Sequence, residues 1–212
     1  MNEFTFLKDK LVLVTGVSST DLRYKNIGQA LAELLARNGS QVIAVSRDLE
    51  KCEKAISHLK EEGLSIDSKQ CDITDYSQVE SLFNWIKETY GCLNYLINNA
   101  GTEGKLEPLD ELSLDNIDTV IATNGKGTLY CLKEAIKLMK DRLKENNKED
   151  CSIINISSIA AEIGMPNTSV YAYAKAGIAS IGRVATIELN EYALKTNTSP
   201  IRVNTILPGV IR

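Results

Sequence analysis

Leu11-Val12-Leu13-Val14-Thr15 is a run of five residues without a charge, closed by Gly16. Successive side chains of a strand point to opposite faces, so such a run is buried on both sides. A parallel sheet covered by helices on both faces meets that condition. The same unit recurs down the chain. A helix over Asn26–Asn38 has Ile27, Ala30, Leu31, Leu34 and Leu35 at helical spacing and Gly39 as its stop. Strands are predicted at Gln41–Val45, Ile66–Cys71, Tyr95–Asn98, Ser152–Ser157 and Ile201–Leu207. Helices are predicted at Leu49–Glu62, Tyr76–Tyr90, Asp115–Leu143 and Ser169–Ala193. Within Asp115–Leu143, the Asn124-Gly125-Lys126-Gly127 stretch is costly for a helix interior. This alternation predicts an α/β fold with a doubly wound, Rossmann-like parallel sheet. Residues 1–212 form one domain, with ligands at the carboxyl ends of the strands.

A chain of 212 residues with 43% hydrophobic and 25% charged content suits one such domain. The net charge of −4 offers no basic surface for nucleic acid, and no apolar run approaches the ~20 residues of a membrane span. No signal peptide is read at Met1–Lys10. Cys52, Cys71, Cys92, Cys131 and Cys151 are scattered and odd in number, which points to buried thiols in the cytoplasm or another reducing compartment. The sequons at Asn155, Asn167 and Asn197 are then accidental. With His58 as the single histidine, placed on a surface helix, a zinc site and a Ser-His-Asp triad are both discounted, and no metal is expected. Lys144–Asp150 reads as a solvated loop.

The chemistry concentrates between Ser157 and Lys175. Tyr171 and Lys175 are four apart in a helix-favouring stretch, which puts both side chains on one face with Cβ atoms roughly 5–6 Å apart. A phenol titrates near ~10, and a neighbouring ammonium lowers that value. A shift to ~7 needs about 4 kcal/mol, more than one Lys supplies, so a second cation such as an oxidised nicotinamide is a natural helper. Taken alone, a Tyr-x-x-x-Lys pair is a common accident on a helix surface. Three further segments change the odds: Thr15-Gly16 with Ile27-Gly28, Asn98-Asn99-Ala100-Gly101, and Asn124-Gly125-Lys126-Gly127. Ser158 lies 13 positions before Tyr171. Together these resemble the short-chain dehydrogenase/reductase family in its Tyr-x-x-x-Lys branch, from about Lys8 to the last residue.

The resemblance implies the roles. Tyr171 exchanges a proton with a carbonyl or alcohol oxygen, and Lys175 acidifies it and holds the nicotinamide ribose. Ser158 donates to the same substrate oxygen, and Asn124 holds a water that links Lys175 to solvent. Ser157 competes with Ser158 on chemistry but lacks the family offset; Tyr173 falls on another helix face and is expected to pack. Cofactor contacts are implied at Gly16, Ser18, Ser19, Ile27 and Gly28 in the first turn, and at Asp72 and Ile73 on the adenine. Asn99, Ala100 and Gly101 follow under the cofactor, then Tyr171 and Lys175, and Pro208, Gly209 and Ile211 at the end of the chain. Asp72 reads equally well as a helix N-cap.

The first turn departs from the family pattern. Gly16 and Gly28 are twelve apart, against six in Thr-Gly-x-x-x-Gly-x-Gly, and the middle Gly is replaced by Thr20 or Asn26. At the end of the second strand, Ser46 stands where an acid would hold a ribose 2′-hydroxyl, followed by Arg47. That pair suits a 2′-phosphate and hence NADP(H), with Arg23 and Lys25 as further candidates.

The expected activity is hydride transfer between NADP(H) and a carbonyl or alcohol. The first guesses are a general ketone or a 3-oxoacyl thioester, including one linked to acyl-carrier protein. Sugar, polyol or steroid dehydrogenation and an inactive cofactor-binding scaffold are the alternatives. An enoyl reductase of the divergent branch is rejected, because Thr168 stands seven before Lys175 where that branch needs Tyr. Relatives associate through the helices corresponding to Asp115–Leu143 and Ser169–Ala193, which implies a homodimer or homotetramer. They also continue past Arg212 with a substrate-covering segment and a last strand, so the sequence is expected to be truncated at its C-terminus.

Overall fold

The apolar run at Leu11–Thr15 forms the middle of a sheet, β1. A computed structural model describes residues 4–18 and 25–211. The remaining strands are β2 (Gln41–Ser46), β3 (Ile66–Gln70), β4 (Tyr95–Asn98), β5 (Ser152–Ile156) and β6 (Arg202–Ile206). They pair in the order β3-β2-β1-β4-β5-β6, every pair parallel. The order reverses between β1 and β4, which fixes the crevice at their carboxyl ends as the ligand-binding place of such a sheet.

Each face of β1 feeds a different core. Leu11 and Leu13 face a cluster with Val79, Phe83 and Ile86 of α3 (Tyr76–Tyr90), Leu132 and Met139 of α5 (Thr128–Glu145), and Leu189 of α6 (Ser169–Thr196). Val12 and Val14 face Ala32 and Leu35 of α1 (Ile27–Arg37), with Ile56 and Leu59 of α2 (Leu49–Glu61). This two-sided burial is why β1 carries no polar side chain except at its last residue. A smaller cluster, Val120, Val170 and Ala174, seats α4 (Leu114–Val120) on the first turns of α6.

The helix expected over Asp115–Leu143 is not regular. Between α4 and α5 the segment Ile121–Gly127 is π-helical, so the glycines do not end the helix but widen one turn of it. The loop after α5 also differs from a plain solvated one. Glu149 is buried, and its carboxylate takes hydrogen bonds from Lys10 Nζ (2.7 Å), Asn94 Nδ2 (3.0 Å) and Asn146 Nδ2 (3.2 Å), with Arg142 at 3.2 Å. Asn94 in turn accepts from the Leu11 amide at 3.0 Å. One carboxylate thereby ties the starts of β1 and β4 to the end of α5, at the sheet end opposite the crevice. Among the described residues no helix is long and apolar enough to cross a membrane.

The hydrogen bond from Lys10, with the nearby guanidinium, holds the Glu149 carboxyl below the usual carboxylate range. A lowered folded value stabilises the fold above the unfolded value and is lost as pH falls through the folded one. Glu149→Gln is expected to lower the unfolding free energy by about 1–3 kcal/mol at neutral pH. The gap between variant and parent should close as pH drops below the ordinary Glu range; urea denaturation at several pH values reads both.

Candidate active site

Three backbone segments meet at the crevice with almost no side chain between them. Gly16, at φ +77°, makes the turn out of β1, and a Cβ there would lie 2.8 Å from Ala100 Cα. A Cβ on Gly28, at the start of α1, would lie 2.5 Å from the Gly16 carbonyl oxygen and 2.6 Å from Asn99 Nδ2. Thr15 Oγ1 accepts from the amides of Asn99 and Ala100, both at 3.0 Å, and Asn99 Nδ2 donates to Thr15 O at 2.8 Å. The ends of β1 and β4 are thus stitched together under the crevice.

The lengthened turn is closed at its neck. Asn26 caps α1 by accepting from the Gln29 amide (2.7 Å), and its Nδ2 donates to Ser18 O (2.7 Å). Asn26 therefore stands at the helix start and holds Ser18 to it. Ser19, Thr20 and Arg23 lie outside the described residues.

A cleft of about 670 Å³ runs from this neck across the sheet. It is lined by Gly16, Ser18, Ile27, Asn99, Ala100 and Gly101, and at its far end by Ser46, Arg47, Asp72 and Ile73. Ser46 is buried and Arg47 exposed. The nearby Asp48 is turned away, its carboxylate capping α2 at the Lys51 amide. Asp72 does not cap α3, a role taken by Asp75; its Oδ1 accepts from Thr74 N and Oγ1 (3.0 and 2.8 Å). Ile73 is buried over Gly127 of the π-turn.

A second cleft of about 410 Å³ shares Ile27, Asn99, Gly101, Thr102, Glu103 and Ile211 with the first. Ser158, Tyr171 and Lys175 line it together, as do Pro208 and Gly209. The Ile159 amide donates to Pro208 O (2.9 Å), which fixes the end of β6 beside Ser158. Lys175 is buried, with its Nζ 5.7 Å from the Tyr171 ring centre and donating to Ile156 O at 2.8 Å. Burial lowers its ammonium to about 8. Ser157 is excluded as the reactive hydroxyl, since it is buried and donates to the Lys175 carbonyl at 2.7 Å. It anchors α6 to β5 instead.

Asn124 lies at the centre of the π-turn, fully buried. Its side chain is spent on the backbone of Thr102, accepting from its N and donating to its O, both at 2.8 Å. A Cβ on Gly101 would sit 3.1 Å from Asn124 Oδ1 and 3.3 Å from Lys175 Nζ, so all three converge. Tyr173, expected to pack, is 70% exposed on the outer face of α6. The sequon at Asn155 is fully buried, with Asn155 Oδ1 accepting from Asn98 Nδ2 at 3.3 Å.

The family model described as short chain dehydrogenase matches residues 10–212. The chain belongs to the short-chain dehydrogenase family. Among curated relatives, the 3beta-hydroxysteroid dehydrogenase of Mediterraneibacter gnavus is 30% identical over 201 residues, covering 95% of this chain and 66% of its own. A solved levodione reductase superposes with TM-score 0.83 at 28% identity, over 95% of this chain and 72% of its own. A solved NAD+-bound xylitol dehydrogenase gives 0.82 at 29%, over 96% and 71%. The chain thus spans about two thirds of the hydroxysteroid relative's length. Short-chain dehydrogenases are oxidoreductases that use a nicotinamide cofactor, and the residues present fit a dinucleotide. The close contacts of Gly16 with Ala100 and of Gly28 with Gly16 leave bare backbone for a pyrophosphate, and Asn26 and Ile27 at the start of α1 line the same cleft.

Sequence reasoning missed three parts of this short-chain dehydrogenase site. Thr15 as the clasp between strands, Thr102 as the partner of Asn124, and the Asn98–Asn155 pair all depend on pairings 22 to 84 residues apart. The one local signal was polarity at strand ends, at Thr15, Asn98 and Asn155, where the runs are otherwise apolar.

Two outcomes are expected. Gly28→Ala pushes α1 off the β1 turn, so affinity for the reduced nicotinamide cofactor should fall at least about tenfold, with a stability loss of about 1–3 kcal/mol; fluorescence titration and thermal unfolding measure them. For Lys175, the lowered folded value means that the unfolded chain binds more protons between pH about 8 and 10.5. Stability therefore rises with pH across that window, by up to about 3 kcal/mol. Denaturation of the parent against Lys175→Met should show that rise in the parent only.

Proposed function

We propose that residues 1–212 act as one dinucleotide-binding catalytic unit that interconverts a carbonyl compound and its alcohol with NADP(H). The observation that carries this reading is the continuity of the two clefts: the one holding Ser158, Tyr171 and Lys175 opens into the one bounded by Gly16, Ile27 and Arg47. The cofactor supplies the hydride that the protein's own side chains cannot.

In the reducing direction the Tyr171 hydroxyl gives its proton to the substrate carbonyl oxygen, and in the oxidising direction it takes one from the alcohol. Ser158 donates a hydrogen bond to that oxygen, where negative charge develops. Lys175 has three N–H donors, one of them on Ile156 O, and its positive charge stands beside Tyr171. Asn124 is a positioning residue. Its side chain locks the Gly101–Thr102 backbone, and the path by which Lys175 exchanges protons with solvent falls to the main chain of the π-turn.

The preference for NADP(H) is supported by Ser46 and Arg47 at the end of β2, with the carboxylate of the following Asp48 occupied at the start of α2. The substrate class is a ketone, with a 3-oxoacyl thioester as one form of it. Association as a homodimer or homotetramer through α5 and α6 is supported by Tyr173, Val184, Ile187 and Leu194, large side chains exposed along α6. Five free cysteines, four of them buried, suit the cytoplasm or another reducing compartment.

Tyr171→Phe is expected to bind NADPH as the parent does while kcat/KM drops by about 10²–10⁴; turnover at the parent rate removes Tyr171 from the reaction. Arg47→Asp should narrow or reverse the ratio of NADPH to NADH dissociation constants, which in the parent should favour NADPH.

A further inference from the structure

Two asparagines of one helical stretch hold the segment that the clefts share. Gly101, Thr102 and Glu103, which follow β4, line both clefts, and Leu106 lines the second. Asn124 grips this segment at the Thr102 backbone. Asn116, buried in α4, grips it in the same way three residues on. Its Oδ1 accepts from the Lys105 amide at 2.9 Å, and its Nδ2 donates to the Lys105 carbonyl at 2.8 Å. Each side-chain amide thus exchanges both bonds with one backbone residue, as paired residues of an antiparallel ladder do. The grips come in opposite order along the two segments, so the strap between Thr102 and Lys105 runs from the π-turn back along α4.

The strap lies flat on the helix between its grips. Gly104 has φ +70°, and a Cβ there would lie 2.3 Å from Asn116 Oδ1 and 2.5 Å from Val120 Cγ2. Beyond Lys105, Asn116 Nδ2 also donates to Glu107 at 2.9 Å, and the same carboxylate takes the Ser113 amide at the start of α4 (3.1 Å). The Glu107 amide donates to the Asn167 carbonyl at 3.2 Å, next to Thr168 in the lining of the second cleft. Leu106 therefore stands between two residues, Lys105 and Glu107, that Asn116 holds. Val120 of α4 packs on Val170 and Ala174, which precede Tyr171 and Lys175 in α6. The segment bearing Leu106 and the turn bearing Tyr171 are thereby seated on the same short helix.

We propose that Asn116 is a positioning residue for the substrate, fixing through Lys105 and Glu107 where Leu106 meets a bound ketone. The grip of Asn124 on Thr102 serves the other end of the strap, where Gly101 closes on Lys175. Leu106 meets the body of the substrate and not its reacting oxygen. Its contribution is therefore the same in the ground and transition states, and it belongs in KM, not in kcat. The proposal rests on the reading of the second cleft as the substrate site of a carbonyl reductase and adds a residue to that site.

The test uses a 3-oxo ester, a cyclic diketone and a 3-oxosteroid, each offered with NADPH and with NADH. Asn116→Leu makes neither bond to Lys105. It is expected to raise KM for a ketone at least about tenfold, with kcat and the cofactor dissociation constant within about threefold of the parent. Gly104→Ala, which lifts the strap with Asn116 in place, should give the same split and carries the test if the first variant does not fold. Asn116→Asp combined with Glu107→Gln should recover most of the lost KM, because the introduced carboxylate accepts from the Lys105 amide and from the introduced side-chain amide. Amide exchange followed by NMR reads the grip without turnover. Asn116→Leu should speed exchange at Lys105 by about tenfold or more and leave Thr102 as in the parent. An unchanged KM, or a rise in KM matched by an equal loss of kcat or of cofactor affinity, overturns the proposal and leaves the reductase reading standing. A parent that turns over none of the three compounds overturns the reductase reading and the substrate role with it, and exchange at Lys105 then decides the grip alone.

Discussion

The crevice depends on the absence of two side-chain atoms. Gly16, Gly28 and Ala100 approach so closely that a single added methyl at either glycine would overlap backbone by about an ångström. That contact sets the angle of α1 to β1, the separation of β1 and β4 beyond their last hydrogen bonds, and the depth of the cleft between them. Thr15 maintains it with one hydroxyl shared by two amides of the other strand. A polar group at the end of an apolar strand is thereby explained by what it holds in place.

From that crevice Ser158, Tyr171 and Lys175 are reached through backbone, not through one another. Ser157 fixes α6 to the end of β5, and Lys175 bonds the last carbonyl of the same strand. Tyr171, one turn earlier, inherits its position from both. On the other side, Asn124 gives its whole side chain to Thr102 and so sets the floor under Gly101. The π-turn places Asn124 there: a regular helix from Leu114 to Glu145 would carry that side chain to a different azimuth relative to α5.

Much of this was legible in the sequence because it follows from periodicity. The six strands and their alternation with helices were readable within one or two residues, since a two-sided core leaves little freedom in composition. Tyr171, Ser158 and Lys175 could be placed together because each follows a strand end or lies one helical turn from its partner. The rest depended on long-range pairing. Nothing local distinguished Ser157 from Ser158 chemically. The burial of Glu149 could not be read from a run of seven polar residues, because its partners Lys10, Asn94 and Arg142 come from three separate elements. The exposure of Tyr173 likewise turned on where α6 meets the sheet, which the helix pattern alone does not fix.

Asn26 has a wider consequence. By bonding Ser18 across the base of the turn, it separates the length of the connecting segment from the shape of the nucleotide cradle. Residues can be gained or lost between those two positions at a small, slowly growing entropic cost. The neck is therefore an evolutionary seam, where a lineage could acquire a new surface feature beside the nucleotide without re-engineering how it is held.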